Sequence, residues 1–122
     1  MKNRETGTMY NLDYLYKISE GDMEFIDEMT RLFIIEIPVK LNKIIVLLSE
    51  GRREMATDEI HRIAPNFSLF GLHNIIAKMN KIECSLRSGA EETGVISELE
   101  CIRYEFNKVA VKLKSDCNIY NL

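Results

Sequence analysis

Apolar positions recur along most of this chain at steps of three and four, the period of an amphipathic α-helix and not of a strand. The plainest case is Leu72, Ile75, Ile76, Met79, Ile82 and Leu86, one face of a helix closed by Ser88-Gly89. Leu99, Ile102, Phe106, Val109 and Leu113 alternate steps of three and four, the seam of a last helix packed lengthwise on others. Earlier, Phe25, Met29, Leu32, Phe33, Leu41, Ile44 and Leu48 mark a long second helix, widened in the middle by Ile34, Ile35 and Ile37. Such girth reads as burial on more than one side, with an exposed patch for a partner as the alternative. Asp22 suits its N-cap, and Glu24, Asp27 and Glu28 suit the positive end of its dipole. Pro38 lies inside the pattern and is expected to kink or split the helix. Before it, Asn11 caps a short helix with Leu12, Leu15 and Ile18 on one face, broken by Ser19-Glu20-Gly21.

Between the second helix and the Leu72–Leu86 stripe, Ala56, Ile60, Ile63 and Phe67 recur at offsets of four, three and four. They predict a helix that starts near Arg52 or Arg53, after Ser49-Glu50-Gly51, and runs through His61. Pro65 deprives the His61 carbonyl of its donor four residues on, so it is expected to bend or loosen this helix. The pattern leaves open whether the helix stops there or continues to Phe70; Gly71 punctuates the turn that follows.

One short helix and four longer ones joined by brief loops imply an all-α fold, an antiparallel four-helix bundle with a short extra N-terminal helix. Residues 1–9 read as a flexible lead-in, 10–115 as the bundle domain and 116–122 as a frayed C-terminal tail.

Composition narrows the class. At 122 residues, 46% hydrophobic and 29% charged, the chain has the make-up of one soluble globular domain with a single core. A net charge of −3 argues against nucleic acid as the main partner, since phosphate binding needs a basic surplus. The apolar run from Leu32 to Leu48 is interrupted by Glu36, Pro38, Lys40, Asn42 and Lys43, so no membrane span is expected. The polar opening Met1-Lys2-Asn3-Arg4-Glu5-Thr6-Gly7 lacks the apolar core of a signal peptide, so a cytoplasmic location is expected. Three cysteines without a CxxC pair indicate neither a disulfide framework nor a zinc site. Met23, Met29, Met55 and Met79 read as core filler, and His73 as a polar residue at a helix end.

His61 is the candidate for chemistry. At about 100° per residue it points roughly 130° away from the apolar stripe of its own helix. The positions around it on that outer side, Thr57, Ala64, Pro65 and Ser68, are all small or compact. An imidazole fenced by short side chains can be reached by a large partner and can act as a nucleophile.

The stretch around His61 resembles the histidine-containing phosphotransfer (HPt) domain family. The family signature is His, any residue, an apolar residue, Lys, Gly, then a glycine ten residues after the His; Ile63 and Gly71 match, while Ala64 stands for the Lys and Pro65 for the Gly. The likeness extends from about Tyr10 to about Leu113, with Asn11-Leu12-Asp13-Tyr14-Leu15 and Gly21-Asp22-Met23-Glu24-Phe25-Ile26 resembling the family's opening. The resemblance implies a phosphorelay intermediate of two-component signalling and not an enzyme. His61 would accept a phosphoryl group from a receiver-domain aspartate and pass it to another receiver, with Thr57, Ala64, Pro65 and Ser68 in the partner-binding face. Its partners would be response-regulator receiver domains and a hybrid sensor histidine kinase. The chain would hold no cofactor or metal of its own, the Mg2+ being carried by the receiver. The Lys of the signature helps hold the phosphoryl oxygens, which Ala64 cannot do; Arg62, about 100° round the helix, is the candidate support in its place. That departure motivates the alternative, a degenerate HPt-like adaptor that binds a receiver without carrying phosphate. A plain helical adaptor with a buried histidine is the third reading.

Overall fold

The computed structural model describes residues 10–119 and 122, so the expected lead-in, residues 1–9, lies outside the described residues. The fold is all-α, a helical bundle of five helices with no strand among the described residues: α1 Asp13–Ser19, α2 Met23–Ser49, α3 Arg53–Ser68, α4 His73–Arg87 and α5 Glu92–Asp116. α1 packs on α2; α2 packs on α3 and α5; α4 packs on α3 and α5. No helix among the described residues is long and apolar enough to cross a membrane.

The stripes read from α3, α4 and α5 are the stripes that are buried. Ala56, Ile60, Ile63 and Phe67 face inward from α3, Ile75, Met79, Ile82 and Leu86 from α4, and Leu99, Ile102, Phe106, Val109 and Leu113 from α5. Burying a large aliphatic or aromatic side chain contributes about 1.5–3 kcal/mol each, which is why these helices hold despite modest intrinsic propensity. Phe33, Phe67, Phe70 and Phe106 form the centre of the core. The Phe33 ring stacks on Phe70 at 3.9 Å and meets Phe106 edge-on at 5.1 Å, joining α2, α5 and the end of α3.

α2 differs from expectation in two ways. It runs unbroken through Pro38, so the helix is not split there. Its buried face is Ile26, Thr30, Phe33, Ile34, Ile37, Leu41, Ile44, Leu47 and Leu48, while Phe25 and Leu32 of the expected stripe stand in solvent. Thr30 belongs to the buried face because its hydroxyl donates to the Ile26 carbonyl at 2.7 Å, satisfying the polar group within the helix. The Asp22 N-cap forms as expected, its side chain accepting from the Phe25 N–H at 3.2 Å.

On α1, Leu15 is buried but Ile18 is exposed. Asn11 accepts from the Asp13 N–H at 2.7 Å, a turn two residues long ahead of the helix. Residues 116–119 of the expected frayed tail are ordered, and residues 120–121 lie outside the described residues. The Asn118 and Ile119 N–H groups return to the Ser115 and Lys114 carbonyls, Asn118 takes a left-handed φ of 55°, and Ile119 is buried. This is a Schellman closure of α5. Tyr10 adds a hydrogen bond from its hydroxyl to Asp116, tying the two ends of the domain together.

Candidate functional site

α3 is held at both ends, and His61 rides on its middle. At the start, Arg53 donates to the carbonyls of Leu86 and Ala90 and pairs with Glu92 at 3.1 Å, locking α3 to the turn between α4 and α5. At the other end, Phe67 and Phe70 sit in the aromatic core. Gly71 then turns the chain with φ 66°, and the Asn11 N–H donates to the Phe70 carbonyl at 2.8 Å. A Cβ at 71 would lie 2.7 Å from the Asn11 Cβ, so this turn needs glycine for space as well as for φ. The helix keeps its course past Pro65 to Ser68, which answers the question the sequence left open.

The His61 side chain is 75% exposed. Its Nδ1 lies 3.2 and 3.1 Å from the two carboxylate oxygens of Glu83 on α4. Glu83 is only 15% exposed and is gripped from the far side by Arg87, whose Nε and Nη2 donate to Oε2 at 3.1 and 2.9 Å. Burial alone would raise the Glu83 carboxyl. The hydrogen bonds from Arg87 and His61, with the charges of both, outweigh it and hold the carboxyl below its ordinary value. An ionised carboxylate can only accept, so Nδ1 carries the proton that is shared with Glu83. In the neutral ring, Nε2 is then the atom with the free lone pair.

The residues expected around His61 do not all share its surface. Pro65 and Ser68 are exposed beside it. Thr57 and Ala64 are buried, at 5% and 7% exposure, and this corrects their expected place in a partner-binding face. Both lie on the shoulder of α3 that also carries Arg53, the shoulder turned to α4, and the Thr57 hydroxyl is spent on the Arg53 carbonyl at 2.8 Å. Arg62, the expected phosphoryl support, is paired within its own helix. Its guanidinium pairs with Glu59 at 2.9 Å, and Glu59 in turn meets Lys43 of α2 at 3.6 Å, on the other shoulder. The cation that shares a carboxylate with His61 is Arg87.

Sequence reasoning missed Glu83 and Arg87. They lie 22 and 26 residues beyond His61 on another helix, and the one local signal was their own acid–base spacing of four. His73, the first residue of α4, is exposed. No group of three or more His, Cys, Asp or Glu side chains among the described residues is placed to hold a metal ion. Cys84, Cys101 and Cys117 are free thiols. No family model, no curated protein and no solved structure matches the chain.

Proposed function

We propose that this protein is a phosphoryl carrier of the HPt kind, taking a phosphoryl group on His61 from a receiver-domain aspartate and passing it to another receiver. The observation that carries this reading is the imidazole itself: exposed, with Nδ1 tied to a half-buried carboxylate, which leaves Nε2 for a partner. Fixing a nucleophile in one tautomer and one orientation removes entropy from the barrier before a partner arrives. Nε2 attacks phosphorus in line, the N–P bond forms, the aspartyl O–P bond breaks, and the aspartate carboxylate is regenerated on the partner. The Nδ1 proton stays against Glu83, which balances the positive ring as the bond forms. The receiver brings its own Mg2+, and positioning with charge neutralisation accounts for most of such transfers.

Glu83 also places negative charge near the incoming phosphoryl oxygens. Arg87 offsets it, and the guanidinium hydrogens not used on Glu83 are free to turn to those oxygens, the role that Ala64 cannot fill. The packing of α2 on α3, α3 on α4, α4 on α5 and α5 on α2 supports the finer fold reading, an antiparallel four-helix bundle with α1 as the extra helix. Ala64 and the carboxylate beside His61 favour a second reading, an adaptor that binds receivers without carrying phosphate.

Incubation with a panel of phosphorylated receiver domains separates the two. Acid-labile label on this chain that disappears in His61→Gln is the expected result. Stable receiver binding with no label transfers the case to the adaptor.

A further inference from the structure

α2 carries a second apolar stripe, on the side opposite the core. Phe25, Leu32, Val39 and Val46 repeat at intervals of seven, with Ile35 three residues after Leu32. All five stand in solvent, Leu32 at 44%, Val39 at 66% and Val46 at 43% exposure. A seven-residue repeat sustained over three heptads is the period of a seam between two helices, and an ordinary solvated face has no reason to keep it. From Phe25 to Val46 the stripe is roughly 32 Å long at the helical rise per residue.

Charge decides what fits it. Glu36 and Lys43 flank the same edge of the stripe, also seven apart. Their present contacts are long: Glu36 with Lys40 at 3.7 Å, Lys43 with half-buried Glu59 at 3.6 Å. We propose that this face pairs with the same face of a second copy of this chain, antiparallel, about a twofold axis between Val39 and Asn42. In that register Ile35 packs beside Val46 of the second copy, and Glu36 meets Lys43 of the second copy, twice over. A parallel pairing sets Lys43 against Pro38 and Glu36 against Arg31, which is already tied to Asp27 at 3.0 Å. Asn42, a polar residue within the seam that already accepts from Arg103 at 3.4 Å, fixes the register at some expense of affinity.

Sedimentation velocity on the full chain, from low micromolar to near-millimolar concentration, tests this without any receiver, so its outcome is independent of the relay. The expected result is a reversible dimer. Val39→Asp or Ile35→Asp abolishes it with the helical circular dichroism unchanged, because both positions are exposed. Lys43→Glu weakens it about tenfold, the scale of two reciprocal surface pairs, and adding Glu36→Lys to Lys43→Glu restores it. A wild-type chain that stays monomeric throughout overturns the proposal. So does a dimer indifferent to Val39→Asp, or a monomer whose α2 face is taken only by a helix of another protein.

Discussion

The outward faces of α2 and α3 are neighbours and opposites. α3 turns out a polar surface on which one imidazole is held by a carboxylate from α4, while α2 turns out an apolar stripe interrupted by Asn42. Neither face is required by the core, which both helices build from their other sides. The difference shows two routes by which a small bundle gains function once folding is provided for. One spends side-chain hydrogen bonds to fix a reactive atom. The other leaves dispersed hydrophobic area for a partner to cover.

The sharpest way to break the comparison is to remove the imidazole. His61→Gln is expected to eliminate label completely and leave the thermal midpoint within a few degrees, since the side chain is exposed. Phosphotransfer gels and calorimetry check it together. Label that persists places the nucleophile elsewhere.

Core positions behave in the reverse manner. Phe106→Ala removes a fully buried ring in contact with Phe33 and Phe67, and is expected to lower stability by about 3–5 kcal/mol in urea unfolding. Gly71→Ala comes next, at roughly 1–3 kcal/mol, because the new methyl group meets Asn11 at a positive φ. A Gly71→Ala protein as stable as the parent contradicts the close approach drawn here.

Glu83 lies between the two regimes. Its carboxyl is held below the ordinary value in the folded chain, so its ion pairs stabilise the protein above the unfolded carboxylate pKa. That contribution is lost as pH falls through the lower, folded value. The gap in urea midpoint between the wild type and Glu83→Gln is therefore expected to close on acidification from neutral pH, and a gap that widens instead gives the wrong sign. At neutral pH, Glu83→Gln is also expected to slow transfer while receiver affinity holds. The smallest effect belongs to Arg62→Ala, expected within about 0.5 kcal/mol in stability and near parental in transfer, because Arg62 pairs with Glu59 on the far shoulder.

How far the sequence reached follows the range of each interaction. Stripes on α3, α4 and α5 were legible because each has one apolar face, and a helix with one such face has one way to pack. α2 has two apolar faces, and the stripe expected from its sequence draws on both. Phe25 and Leu32 belong to the seven-residue stripe, while Ile26, Thr30 and Phe33 belong to the core, Thr30 with its hydroxyl satisfied inside the helix. The tail hid its Schellman closure because Asn118, not glycine, takes the left-handed turn. His61 was placed outward by its angle alone. The carboxylate that fixes it was invisible, since a contact between α3 and α4 leaves no periodic trace along the chain. Thr57 and Ala64 looked open for the same reason: their angle on α3 was known, but not how closely α4 covers that shoulder.

Everything proposed for the site depends on which ring nitrogen of His61 is free. Long-range proton–nitrogen NMR of the imidazole, before and after phosphorylation by a receiver or by the small donor phosphoramidate, reads this directly. The proton is expected on Nδ1 in the neutral ring and phosphorus on Nε2 in the product. A ring protonated at Nε2, or phosphorus on Nδ1, would contradict that assignment.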